Sequence, residues 1–202
     1  MHLPEKLPIT EYFCSLQGEG SFSGLPAWFI RLAGCNIRCQ WCDSKESWIE
    51  NEQQRTDIRQ LIRSIAGHPV STMVITGGEP LCHNLSALCT ILKENGFRRH
   101  LETSGAEPLT GEWEWICLSP KKHKSPLKEM FQYADELKVI ISGTDDFQWA
   151  LSCAELCARD CQLFVQPEWN NRLAIIPLII PFLQQNPTWR LSLQMHKLID
   201  IP

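Results

Sequence analysis

Thr72-Met73-Val74-Ile75-Thr76-Gly77-Gly78-Glu79-Pro80 is the stretch that decides the fold. Residues 72–76 form a short apolar and β-branched run, the pattern of a strand buried in a sheet, and the run stops at a pair of glycines. Over 84–94 the period changes: Leu85, Leu88, Cys89 and Leu92 fall on one helical face, and Gly96 is the stop. Working outward, the same alternation repeats. Ala27-Trp28-Phe29-Ile30-Arg31-Leu32-Ala33 predicts a buried strand, and Thr56-Asp57 caps a helix carrying Ile58, Leu61, Ile62 and Ile65 on one side before Gly67. Downstream, strands are predicted over 99–103, 115–118, 137–141, 162–166 and 189–194. Helices are predicted over 146–158 and 172–185, the second kinked by Pro177 and Pro181. Strands alternating with helices mean a parallel α/β architecture. No linker, low-complexity tract or repeat divides residues 1–202, so a single domain is expected.

Composition narrows the class. The 202 residues carry a net charge of -4, which provides no global basic field for direct nucleic-acid binding. Met1-His2-Leu3-Pro4-Glu5-Lys6 lacks the apolar core and cleavage site of a secretory signal. The longest apolar run, 173–183, is too short to span a membrane and is broken by two prolines. A cytoplasmic protein is expected, and its ten cysteines are then reduced thiols rather than cross-links.

Three of those cysteines stand together in Gly34-Cys35-Asn36-Ile37-Arg38-Cys39-Gln40-Trp41-Cys42-Asp43, spaced C-x3-C-x2-C. Structural zinc takes four ligands, and a cubane iron–sulfur cluster has four iron corners normally held by four cysteines. Three thiolates leave one iron corner open, where a small molecule can bind. In parallel α/β sheets ligands bind in loops that follow the C-terminal ends of strands. The cysteine loop, Gly77-Gly78-Glu79, Ser104-Gly105, Ser119-Pro120-Lys121 and Gln166-Pro167 all take that position. Arg31 interrupts an apolar strand just before the cysteines and is either an edge residue or a partner for a carboxylate. The loop Gln17-Gly18-Glu19-Gly20 is either a surface turn or a backbone able to approach a ligand closely. Cys153 and Cys157 share a helix face with Ala150 and Ala154, while Cys161 follows Asp160 into a strand; all three suit core packing, and the isolated Cys14, Cys82, Cys89 and Cys117 are read as buried small hydrophobes. Lys121-Lys122-His123-Lys124 reads as a solvated loop, with Lys121 alone given a role below.

With Gly77-Gly78-Glu79-Pro80 at the next strand end, the cysteine triplet resembles the radical S-adenosylmethionine (SAM) enzymes. Leu16-Gln17-Gly18-Glu19-Gly20, Arg31 to Asn36, Cys42-Asp43-Ser44, Glu102-Thr103-Ser104-Gly105, Ser119-Pro120-Lys121 and the segment Arg190 to Pro202 are similar, within that superfamily, to the 7-carboxy-7-deazaguanine synthases. The resemblance covers nearly the whole chain. It implies an abbreviated, open (β/α) barrel, a [4Fe–4S] cluster, SAM and Mg2+. The implied reaction is hydrogen abstraction by a 5′-deoxyadenosyl radical from 6-carboxy-5,6,7,8-tetrahydropterin, then ring contraction with loss of ammonia on the route to queuosine. A flavodoxin-type reductant and a homodimer are implied as well.

By the same resemblance Cys35, Cys39 and Cys42 ligate the cluster, and Ser44 stands where the family commonly places an Mg2+-binding threonine. Trp41, Cys42, Asp43, Gly78, Glu79, Ser104, Ser119, Pro120, Lys121, Gln166, Pro167, Glu168 and Trp169 line the cofactor, with bare backbone at Gly77 and Gly78 leaving room for its methionine end. Leu16, Gln17, Gly18, Glu19, Arg31, Thr76, His196 and Pro202 meet the substrate, Arg31 taking its 6-carboxylate. No residue is assigned as an acid or base. The nearest competing reading is a glycyl-radical activase, which has the same cysteine spacing but acts on a protein backbone. An iron–sulfur electron carrier has no use for an open iron, and a zinc module needs a fourth ligand. The resemblance also implies that the carboxylate at Pro202 closes the pocket on two neighbouring N–H donors of the pterin. Residues added after Pro202 are therefore expected to weaken substrate binding, and unchanged activity of a C-terminally tagged protein contradicts this.

Overall fold

The computed structural model describes residues 6–51 and 55–202. The N-terminal residues 1–5, read above for a secretory signal, lie outside the described residues, as do 52–54. In chain order the strands are Lys6–Leu16 (β1), Pro26–Leu32 (β2), Arg55–Asp57 (β3), Thr72–Gly77 (β4), Arg98–Thr103 (β5), Trp115–Leu118 (β6), Glu136–Ile141 (β7), Gln162–Pro167 (β8) and Trp189–Leu191 (β9). The helices are Ile58–Ser64 (α1), Ser86–Glu94 (α2), Met130–Tyr133 (α3), Asp145–Ala154 (α4), Arg172–Gln185 (α5) and Met195–Leu198 (α6).

The strands form one sheet in the order β3-β1-β2-β4-β5-β6-β7-β8-β9. From β2 through β9 neighbouring pairs are parallel, and β1 runs antiparallel to both β2 and β3. The sheet is open, since β3 and β9 are its two ends. No helix among the described residues is long and apolar enough to cross a membrane.

Alternate residues along these strands go to different places, as the pleat requires. Leu32, Met73, Ile75, Leu101, Leu118 and Val139 belong to the main apolar core. Burying a side chain of this size contributes roughly 1.5–3 kcal/mol, so a polar residue is strongly disfavoured there. The intervening residues Arg31, Thr76, Glu102, Lys138 and Gln166 line a cavity on the other face. Below that cavity the inner face is filled partly by Ala27, Phe29 and Val74, against which Phe13 packs. The remainder is filled by the loop between β1 and β2. There the Phe22 ring packs against His100 and Trp115, with centroids 4.6 and 4.9 Å away.

Most strands fall where the apolar runs predicted them. β1 was not read as a strand, because Pro8 and the polar Thr10 and Glu11 break its pattern and only part of it is buried. The last strand ends at Leu191 rather than 194, and the chain leaves the sheet to form α6. α4 stops at Ala154, four residues short of the expectation. α5 continues through Pro177 and Pro181, which lie on its exposed side, four residues apart. Asp57 caps α1 as expected, its carboxylate accepting the Gln60 N–H at 2.9 Å, and it also ends β3. Cys14 and Cys82 are exposed, contrary to the reading of them as buried, whereas Cys89, Cys117, Cys153 and Cys161 are buried. Period-two and loop positions do not by themselves tell which face of an edge strand is covered.

His100 gives this inner packing a pH signature. Burial, with a lesser contribution from the Arg98 guanidinium, lowers its pKa to about 4, against about 6.5 for an unfolded histidine. The stability contributed by the neutral ring is complete above the unfolded value and is lost as pH falls through the folded one. Between pH 7 and 4.5 the protein is expected to lose about 2–3 kcal/mol more than a His100→Phe variant, read from urea unfolding at both pH values. Equal losses contradict the assignment.

Candidate active site

A cavity of about 600 Å³ opens at the C-terminal ends of the parallel strands, within the size range of small-molecule sites. Of the residues assigned above to the cluster, SAM, Mg2+ or the substrate, every one lies on its wall except Pro120, which is buried between two that do.

The cysteine loop is held by backbone contacts made possible by glycine. The Gly78 N–H donates to Leu32 O and the Glu79 N–H to Gly34 O, both at 2.8 Å. Gly34 N–H in turn donates to Ser47 O at 2.8 Å. A Cβ on Gly78 would stand 2.3 Å from Gly34 O, and one on Gly77 would stand 2.3 Å from the Leu32 backbone. The glycine pair is therefore required first by the approach of two backbones, in addition to leaving the cavity wall bare. Cys42 N–H closes a turn on Cys39 O at 3.1 Å, and Ser44 N–H points at Cys42 Sγ at 3.4 Å.

Among the described residues no group of three or more His, Cys, Asp or Glu side chains is arranged to hold a single metal ion. The donor set instead suits a multi-iron cluster, in which each thiolate binds a different iron. Cys35, Cys39 and Cys42 are free thiols on one loop, all facing one cavity. Lys121 lies beside them. Its ammonium donates to Ser119 O and Oγ at 2.6 and 2.7 Å and sits 5.4 Å from the Trp41 ring centroid.

Arg31 and Glu79 are both anchored by hydrogen bonds. Arg31 Nε donates to Glu11 at 2.6 Å and its Nη1 to Ser44 Oγ at 3.3 Å, so the guanidinium is held at the cavity wall rather than snorkelling to the edge. Glu79 is buried and accepts from Thr103 Oγ1 at 2.6 Å, Ser104 N and Oγ at 2.8 and 2.5 Å, and Leu81 N at 3.1 Å. It thereby ties the glycine loop to the end of β5.

The cavity is floored by the loop after β1 and closed by the C-terminal segment. Gln17 donates to Glu102 at 2.9 Å and accepts the Glu19 N–H at 3.1 Å. Met195 N–H donates to Gly18 O at 2.9 Å, Gln194 donates to Glu19 at 2.8 Å, and Ser15 Oγ donates to the Pro202 main-chain oxygen at 2.8 Å. Lys197 reaches back to Asp43 and lies 5.2 Å from the Trp169 ring. Asp43 is held below its usual pKa: burial alone would raise it, but the Lys197 contact prevails.

Sequence reading missed Glu102, Lys138, Gln194 and Lys197. Lys138 had a signal, a lone charge inside the apolar run Leu137 to Ile141, the same signal that marked Arg31. Gln194 and Lys197 fall in the segment that carries the resemblance, but no local pattern gave them a role, because their partners Glu19 and Asp43 are more than 150 residues away.

A family model for the radical SAM superfamily matches residues 29–160. A 7-carboxy-7-deazaguanine synthase from Synechocystis sp. is 46% identical over 194 residues, spanning 96% of this chain and 93% of that protein. The chain belongs to the 7-carboxy-7-deazaguanine synthase family. The enzyme of that name from Escherichia coli K12 is 32% identical over 224 residues, spanning 96% of this chain and 98% of its own. A crystal structure of QueE from Escherichia coli superposes with a TM-score of 0.85 at 31% identity, covering 95% of each chain. The open, mostly parallel α/β sheet is thus the synthase fold, and radical SAM membership implies a [4Fe–4S] cluster and SAM.

The contact between loop and tail is testable. A Cβ on Gly18 would lie 2.1 Å from His196 Nδ1. A Gly18→Ala change is expected to displace the tail and raise the KM for the pterin about tenfold, equivalent to about 1.4 kcal/mol, with little change in Tm. An unchanged KM contradicts the closure described here.

Proposed function

We infer that this chain converts 6-carboxy-5,6,7,8-tetrahydropterin to 7-carboxy-7-deazaguanine with loss of ammonia, as a carbon–nitrogen lyase in the formation of the 7-deazapurine queuosine. The observation that carries this reading is the convergence, on one cavity, of three free cysteines with the N-terminal loop and C-terminal segment that characterise the family.

Cys35, Cys39 and Cys42 hold the cluster, and the residues 41–43, Gly78, Glu79, Ser104, 119–121 and 166–169 hold SAM. When bound, these groups supply a one-electron cleavage that produces a carbon radical able to take a hydrogen atom from the substrate. The rest is positioning by the chain. Arg31, already at the wall, offers two N–H donors to the 6-carboxylate, a charge-assisted geometry that lysine cannot match. Leu16 to Glu19, Thr76, His196 and Pro202 enclose the ring. Fixing the reacting carbon in one orientation lowers the entropic part of the barrier, and the tail over the cavity keeps water from a radical. Ser44 Oγ faces the cavity and offers Mg2+ a hard oxygen ligand. The loop after β1 and the tail belong to one domain with the sheet. A flavodoxin-type reductant, a homodimeric assembly and a cytoplasmic location complete the reading.

The test is anaerobic reconstitution with iron and sulfide, reduction, and assay with the carboxytetrahydropterin. Formation of 7-carboxy-7-deazaguanine and ammonia in equal amounts is expected, and a Cys39→Ala variant is expected to form neither. Release of 5′-deoxyadenosine without conversion of the pterin contradicts the substrate assignment.

A further inference from the structure

The floor of the cavity carries more negative charge than its one lysine neutralises. Lys138 projects inward from β7 with its side chain 5% exposed. Its ammonium lies 2.5 Å from Glu19 on the loop after β1 and 3.7 Å from Glu102 on β5. Glu136, two residues back on the same strand, is satisfied elsewhere, by the Ser21 N–H at 2.9 Å and the Cys117 thiol at 3.5 Å. The other cations on the wall are held elsewhere: Lys121 by Ser119, Arg31 by Glu11 and Ser44, and Lys197 by Asp43.

Two carboxylates thus share one ammonium. Glu102 receives a single amide bond, from Gln17 at 2.9 Å, and its side chain is 25% exposed toward the cavity. Desolvated anions with unused lone pairs are costly unless a ligand brings donors to them. With the Pro202 carboxylate on N3–H and one 2-amino N–H, the second 2-amino N–H is left for this pair; a 2-oxo group at that position offers no donor.

We propose that Lys138 is a positioning residue that holds Glu19 and Glu102 as a pair of ionised acceptors beneath the substrate ring, and thereby selects a 2-amino-4-oxo ring over a 2,4-dioxo ring. This deepens the pterin reading and rests on it. Without the ammonium, the buried Glu19 takes up a proton and becomes a donor as well as an acceptor, because burial disfavours its charged form. The electrostatics agree with the geometry. Burial alone would raise the Glu19 pKa, but Lys138 and the Gln194 amide lower it. Burial alone would lower the Lys138 pKa, but the neighbouring Cys117, Glu102, Glu19 and Glu136 raise it well above the usual lysine value. Burial in turn raises the Cys117 thiol. His196, lowered chiefly by burial, adds no positive charge near neutral pH.

The experiment is calorimetric titration of the reconstituted, SAM-bound protein with 6-carboxypterin and with 6-carboxylumazine, which carries oxygen in place of the 2-amino group. The unaltered protein is expected to prefer the carboxypterin by about 20-fold or more, about 1.8 kcal/mol. Lys138→Met is expected to lose about tenfold in carboxypterin affinity with little change for the lumazine, while Lys138→Arg restores most of the preference. Glu102→Gln, which keeps the lysine and turns one acceptor into a donor, is expected to shift the preference toward the lumazine. Iron content and far-UV circular dichroism separate these effects from loss of fold. Equal loss of both ligands in Lys138→Met, with an unchanged preference in Glu102→Gln, overturns the proposal. Unaltered protein that binds neither ligand overturns the pterin reading and this role with it.

Discussion

The close approach of two backbones, Gly78 against Gly34, is the constraint on which the site depends. The parallel register of β2 and β4 sets Leu32 opposite Gly77, and the ladder continues past the strand ends as Gly78 N–H to Leu32 O and Glu79 N–H to Gly34 O. The cysteine loop is thereby an extension of the sheet rather than a free loop. Its thiols inherit the rigidity of two interior strands of the sheet. Glu79 carries the same connection one strand further, to Thr103 and Ser104 at the end of β5. A loop fastened in this way places reactive groups with the precision of a secondary-structure element, which a radical reaction requires.

The second organising feature is the parity of the strands. One set of alternating residues builds an apolar core with the helices. The other set turns inward, where Arg31, Thr76, Glu102, Lys138 and Gln166 arrive from five strands. The chain closes this inner face with segments from its two ends: the loop after β1 forms the floor, and residues 194–202 form the cover. These two segments are fastened to each other by Met195 to Gly18 and Gln194 to Glu19. The inner face is thus lined mainly by sequence far from the cysteines.

Much of this was legible before any coordinates. β4, β6, β7 and β8 are largely apolar runs bounded by glycine, proline or polar loops, and such runs are recognisable because both the burial and the stop signals are local. The cysteine spacing and the glycine pair were equally local. β1 was missed because a half-covered strand with proline and charges lacks a clean period. The exposure of Cys14 and Cys82 was misjudged because apolar neighbours in sequence are not neighbours in space. Lys138 was overlooked although it broke an apolar run. A single charge in a strand has two meanings, an edge or an inner wall, and only the position of β7 in mid-sheet distinguishes them. Contacts such as Lys197 to Asp43 span the whole chain and leave no trace in local pattern.

Three thiolates on a four-iron cluster would leave one iron corner free for the cofactor. Mössbauer spectroscopy of protein reconstituted with iron-57, recorded with and without SAM, tests this directly. One iron of four is predicted to change its isomer shift when SAM is added while the other three remain as they were. Four irons that do not respond to SAM, or a mononuclear iron bound by the three cysteines, would contradict it.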